Sequence, residues 1–301
     1  MTQTSRPAFS KVTPLMKLEG NPVIRRILDV VDVSNGFMRK GNDLPVGPDQ
    51  EGAEKLIMPM NHFFMQIPEG TIDFALFKLD THFEVEYDLS PESGPFPNIH
   101  CAYGTDGWKL SVNPDCLNPS IPVYYMTKNT FDMWGENPVP LDDLLKHHNV
   151  ESFDELPFNS EDEKKAYQNL YNITQDPACL KPGPHRDEFL SNIGPETEIV
   201  LIGVASNFCD ADAMFGYLER GAQVTVLSNL CKGIPLGPEG REALLDAEGI
   251  DRTENGTMQE VLETERFRPF VESGQLRMEH SEDYINRLRN EVSNDSGPPA
   301  P

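Results

Sequence analysis

Five short runs of β-branched and other apolar residues, with helix-patterned stretches between them, constrain this fold more than anything else in the sequence. They are Ile27–Val33, Ile72–Lys78, Pro122–Met126, Glu198–Val204 and Gln223–Leu227. Each is apolar along most of its length rather than alternating, which is how a strand reads when both faces of its sheet are covered. Between them, Asp49–Phe64 places Ala53, Leu56, Ile57, Met60, Phe63 and Phe64 at helical spacing, and Pro59 marks where that helix is expected to end or kink. Cys209–Arg220 repeats the pattern with Ala213, Phe215, Tyr217 and Leu218, and Gly221 follows as a C-cap signal. Alternating strands and helices predict an α/β fold, a three-layer, doubly wound, mostly parallel sheet that binds ligands beyond the carboxyl ends of its strands.

Two stretches read as additions to this core. Gly135–Gly183 is polar, acidic and proline-bearing, with one clear helix at about Glu161–Leu170, so an inserted helical segment is expected at about 135–183. The chain after Gly233 is helical and charged in patches, and about 293–301 is expected to be a disordered tail.

Charge narrows the partners. Lys plus Arg is 25 and Asp plus Glu is 49, a formal net charge of −24. A phosphate backbone or an anionic membrane surface would be repelled, so no nucleic acid and no membrane partner is expected, and a small neutral ligand fits. Met1–Pro22 lacks a signal-like apolar core, and the longest near-continuous apolar stretch, Ile199–Ala205, falls far short of the roughly 20 residues of a membrane span. The five cysteines are odd in number and irregularly spaced, which predicts free thiols and a cytoplasmic setting.

The strand tips carry the chemistry. The first run ends in Val31-Asp32-Val33-Ser34-Asn35-Gly36-Phe37, where Asp32 reads equally as a buried functional acid or a turn cap. The second ends at Asp80-Thr81-His82, whose Asp and His point the same way if the chain stays extended. With Glu92 and His100 they offer mixed oxygen and nitrogen donors suited to zinc, manganese or iron(II). The third leads to Lys128, a solvated end unless a nucleophile lies nearby. The fourth leads through Ala205 to Cys209 at a helix start, either a small buried hydrophobe or a thiol facing free N–H groups.

In that order these elements resemble the isochorismatase-like cysteine hydrolases, and nicotinamidases/pyrazinamidases among them. The likeness covers about Val23–Lys128 and Glu196–Leu230. It implies a catalytic triad of Asp32, Lys128 and Cys209, an oxyanion hole from the N–H groups of Ala205 and Cys209, and a cis bond at Val204–Ala205. It implies a divalent metal, foremost Zn2+, on Asp80, His82, Glu92 and His100, and a substrate ring walled by Phe37, Phe96 and Trp134. The implied protein is a single α/β hydrolase domain that cleaves the small-molecule amide nicotinamide in NAD salvage, and a homo-oligomer is compatible with it. An amidohydrolase on a ureido or carbamoyl amide, or a non-catalytic binding protein, remains the alternative. Ser34, Gly36 and Asn207 depart from the usual pattern, where Gln, Asp and Asp are frequent.

Overall fold

A computed structural model describes residues 25–48, 51–250 and 252–295. A seven-stranded sheet runs through the described residues, formed by β1 (Arg26–Val31), β2 (Phe74–Asp80), β3 (Val123–Lys128), β4 (Ile173–Thr174), β5 (Glu198–Val204), β6 (Gln223–Lys232) and β7 (Leu276–Glu279). The strand order is β4-β3-β2-β1-β5-β6-β7. Every pairing is parallel except β3 with β4. The helices are α1 (Asn35–Met38), α2 (Glu54–Gln66), α3 (Leu141–His148), α4 (Glu161–Gln168), α5 (Arg186–Phe189), α6 (Cys209–Glu219), α7 (Gly237–Glu248), α8 (Met258–Glu263), α9 (Arg268–Glu272) and α10 (Ser281–Asp295).

Successive side chains of a strand face opposite ways, and β2 shows what lies on each side. The Phe77 ring meets Phe64 of α2 at 6.0 Å. The neighbouring Lys78 points the other way and sets its ammonium 5.6 Å from the Tyr217 ring of α6. Phe63 of α2 also packs on Tyr284 of α10. Helices α2 and α10 therefore cover one face and α6 the other, which makes the three layers. From β1 the chain steps outward through β2 and β3, then returns to β5 on the other flank of β1. That reversal leaves a crevice at the carboxyl ends of β1 and β5, the switch point where such sheets hold ligands.

The five expected strands all form, shifted by up to two residues except that β6 runs on to Lys232. Helix α2 continues through Pro59 rather than ending there, because the burial of Met60, Phe63 and Phe64 outweighs the single backbone bond that proline gives up; residues 49 and 50 of that expectation lie outside the described residues. The chain after Gly233 is more than a helical appendage, since it supplies the edge strand β7. Of the expected disordered tail 293–301, residues 293–295 are the last of α10, and 296–301 lie outside the described residues, as does Val23. Within 135–183, Val139, Leu144, Leu156, Ala166 and Tyr167 gather with Phe83 and Val85 into a second apolar cluster beside the main one. No described helix is long and apolar enough to cross a membrane.

Candidate active site

The tips of β1, β2, β3 and β5 meet at the switch point. Asp32 leaves β1 at a φ of 51°, and its N–H donates to Lys78 O at 3.0 Å. Its Oδ1 accepts the Asp80 N–H at 2.9 Å, so the end of β2 orients the carboxylate. At the end of β5, Gly203 (φ 143°) lies against Val31, where a Cβ would stand 2.2 Å from the Val31 carbonyl oxygen, so only glycine lets β5 approach β1 this closely. The next bond, Val204–Ala205, is cis. The turn then delivers Cys209 as the first residue of α6.

One ammonium ties these tips together. Lys128 Nζ lies 2.9 Å from Asp32 Oδ2, 3.3 Å from Asp80 Oδ1 and 3.5 Å from Cys209 Sγ. All four side chains are buried. Although burial opposes its charge, Asp32, Cys209 and Asp80 hold Lys128 well above the ordinary lysine value, so it stays a cation. Burial, then Asp32, pushes the Cys209 thiol well up, with Lys128 pulling it down. Burial also raises Asp32 above an ordinary aspartate, against Lys128. The resting pair is a neutral thiol beside a carboxylate with raised proton affinity, a nucleophile that needs its base.

Three contacts build the second cluster. His82 follows β2, and its backbone pairs with Cys101 and Tyr103, which draws in the loop bearing His100. Ser90 Oγ accepts the Glu92 N–H at 3.2 Å and caps the short turn that aims Glu92 inward. Nε2 of His82 lies 3.2 Å from Asp80 Oδ2 and 3.4 Å from Glu92 Oε2; Nε2 of His100 lies 3.2 and 3.5 Å from the same two atoms. Ligands ~2.0–2.2 Å from one ion stand ~3.3–3.6 Å apart in a tetrahedron, so this spacing suits a first-row divalent cation. Asp80 Oδ2, His82 Nε2 and both Glu92 oxygens are buried and make no hydrogen bond. Against burial, Asp80 lifts His82 well above the ordinary imidazole value, and the nearby carboxylates of Asp80 and Glu92 lift His100. The carboxylates thus call for positive charge between them.

The outer nitrogens of the two imidazoles differ. His100 Nδ1 meets Tyr87 Oη at 3.1 Å, and that hydroxyl donates to Phe96 O at 2.6 Å, a partner that fixes the ring with its other nitrogen free to ligate. His82 Nδ1 faces Glu86 Oε1 at 3.6 Å, an ion-pair distance too long for a hydrogen bond, and Glu86 is held by Asn129.

Of the aromatic candidates, Phe37 and Phe96 stand 5.6 and 6.0 Å from the His100 ring. Trp134 is not brought to the site. The chain turns away after Asp132, and the indole packs on α6, donating to Ala213 O at 3.1 Å, crossing Tyr217 and stacking under Arg220. Phe131 and Phe208 take the place expected for it, each within 6.0 Å of Phe96. Both lie in strand-tip segments whose ends alone drew notice, so adjacency to Lys128 and Cys209 was the available signal.

The three departures have local causes. A Cβ on Gly36 would stand 2.7 Å from Cys101 Sγ and 3.2 Å from Asp43 Oδ2, and Asp43 accepts the Cys101 N–H. Ser34 Oγ touches the same thiol at 3.3 Å. Asn207 donates to Ile234 O and accepts the Ile234 N–H, fastening the nucleophile turn to the chain beyond β6. Arg252 completes that clamp: it donates to Asn207 O, pairs with Asp212 at 3.0 Å and lies 4.6 Å over the Phe208 ring. No feature of the sequence marked Arg252.

No family model matches the chain, and a search of curated proteins finds no match. Solved structures do. A pyrazinamidase of Pyrococcus horikoshii in complex with zinc is 18% identical, with 85% of this chain and 99% of that one covered and a TM-score of 0.47. An isochorismatase-like hydrolase from Alkaliphilus metalliredigens is 17% identical over 87% and 98%, with a TM-score of 0.43. A cysteine hydrolase from Pseudomonas syringae pv. phaseolicola is 11% identical over 89% and 94%, with a TM-score of 0.48. The likeness is to isochorismatase-like hydrolases. At these identities and scores, function has to be argued from the side chains.

Proposed function

We propose that this chain is a nicotinamidase-like cysteine hydrolase that converts nicotinamide to nicotinate and ammonia through a thioester on Cys209. One observation carries this reading: a single buried ammonium, Lys128 Nζ, lies within 3.5 Å of a thiol, a base and a carboxylate of the four-residue donor cluster. The nucleophile and the donor cluster therefore share one wall of one crevice.

Asp32 takes the Cys209 proton as the sulfur bonds to the carboxamide carbon. Lys128 balances the charge that passes from Asp32 to the thiolate. The backbone N–H groups of Ser206, Phe208 and Asp210 are taken by Lys232 O and Ala205 O; those of Ala205 and Cys209 are outside these bonds and are assigned to the oxyanion. Such a donor is worth roughly 100- to 1,000-fold in rate. Asp32 returns its proton to the nitrogen as the C–N bond breaks, and ammonia leaves. Asp32 then takes a proton from water, whose oxygen attacks the thioester. The C–S bond breaks, nicotinate forms and Cys209 recovers its proton.

Asp80, His82, Glu92 and His100 would hold a divalent metal, with zinc the best fit to this donor set and manganese or iron(II) also compatible. When bound, it supplies a Lewis acid for the pyridine nitrogen. Phe37 and Phe96 stand where they would flank the ring. A ureido or carbamoyl amide has no ring nitrogen to engage that cluster, which disfavours it as the substrate.

The test is incubation with nicotinamide and a divalent metal, following ammonia and nicotinate. Absence of turnover overturns the substrate; full activity in Cys209→Ala overturns the mechanism.

A further inference from the structure

Beside the crevice lies a cleft of about 700 Å³ that the reaction just described does not need. One wall is Glu92 and Phe96 from the donor-cluster loop, with Phe131 after β3. The opposite wall is α7, through Gly240, Ala243 and Leu244. The chain beyond β6 thus builds half of it. Phe96 and Phe131 line the cleft with their rings 6.0 Å apart, and Phe96 also lies 6.0 Å from the His100 ring of the donor cluster. Pockets of ~300–1,000 Å³ take ligands of drug size; a single ring with one carboxamide is far smaller. Of the charged groups along the cleft, Arg252 and Asp212 pair with each other, Glu92 belongs to the donor cluster and Asp132 accepts the Trp134 N–H at 2.8 Å. The rest of the lining offered to a ligand is mostly apolar.

We propose that this cleft is a second substrate subsite, so that the preferred substrate is an uncharged aromatic carboxamide carrying an apolar substituent, with the carboxamide at Cys209 and the substituent between Phe96 and α7. This inference rests on the hydrolase reading. Its occupant is argued from continuity: Glu92 and Phe96 belong at once to the cleft and to the reaction centre, so a ligand in one extends directly into the other.

The experiment compares kcat/KM for nicotinamide and for a nicotinamide bearing a phenyl group on a ring carbon, in the wild type, Ala243→Trp and Gly240→Trp. Ala243 is exposed, and a Cβ on Gly240 meets only Leu236 at 3.5 Å, so both positions accept a side chain that fills the cleft. The wild type should favour the phenyl amide by about tenfold or more, as burial of an aromatic ring warrants, and the ratio should fall to about one in both variants. A wild-type ratio near one, or a ratio unmoved by the tryptophans, overturns the subsite. If neither amide is turned over, the hydrolase reading fails, and binding of the phenyl amide to Cys209→Ala decides the cleft separately. Binding weakened about tenfold by adding Ala243→Trp supports the subsite, and unchanged binding overturns it.

Discussion

Replacing Asp32 with Asn separates two properties that usually travel together, the reactivity of a nucleophile and the activity of its enzyme. The amide keeps the shape of the carboxylate and an oxygen for the Asp80 N–H, now received at 2.9 Å. It removes the base and a negative charge that lies 2.9 Å from Lys128. General-base catalysis is worth roughly 100- to 10,000-fold, or about 2.7–5.4 kcal/mol at 1.36 kcal/mol per decade, so kcat for ammonia release should fall by that factor. The thiol should respond in the opposite sense. After burial, Asp32 is the leading cause of the raised Cys209 value, and Lys128 opposes it. Without Asp32 the cation is opposed by Asp80 and Glu92 but no longer by the leading carboxylate, the thiolate becomes easier to form, and iodoacetamide should label Cys209 faster at neutral pH than in the wild type. Ammonia release and alkylation measured on the same preparations make the comparison. Turnover within tenfold of wild type, or alkylation that slows in parallel with turnover, would refute the assigned division of labour.

Glu86→Ala should weaken metal binding by about 10- to 100-fold by removing the carboxylate that faces His82 Nδ1 at 3.6 Å, as read by competition with a chelating dye. Arg252→Ala should lower stability by about 1.5–3 kcal/mol, because Asp212 keeps Arg266 but loses its other arginine and Asn207 O loses its donor; denaturant melts measure it, and Arg252→Lys should not restore the planar contact with Phe208. Glu198 is bound by Arg26, Arg277 and Arg287 and held down to about 2 from an ordinary 4.5. Burial opposes that depression and the hydrogen bond from Arg287 leads the groups that cause it. Its folded value is lowered, so its contribution is complete above about 4.5 and lost as pH falls toward about 2. Allowing for the exposure of its arginine partners, that contribution is about 2–3 kcal/mol, and Glu198→Gln should melt earlier at pH 7 while converging with the wild type near pH 2.

The fold was legible where burial wrote it into composition. A strand covered on both faces has to be apolar, so β1, β2, β3 and β5 stand out, and each polar residue at a tip then needs an explanation. Asp32, Asp80, Lys128 and Cys209 were singled out that way, while their roles came from the family resemblance. Edge strands leave no such mark. In β7, Leu276 is buried and Arg277 exposed, and β4 has only two residues. Arg252 sits in a polar stretch that reads as surface, and it is buried only because Asn207 and Asp212 come to meet it. Nothing in the sequence tells which way the Trp134 ring points, and it packs on α6 instead; direction, not distance along the chain, decides which ring reaches a site.

The clamp on the nucleophile turn also bears on the order in which the chain is made. Synthesis delivers Asp32 early, then the metal-candidate loop, then Lys128, and Cys209 only after β5. At that moment the turn still lacks its fastening, because Ile234 and Arg252 have yet to follow. Arg26, at the start of β1, waits longer still for Glu291 of α10. A nascent chain stalled before residue 252 would hold every proposed catalytic group without the contacts that aim the thiol, so assembly of this centre waits for the chain beyond β6.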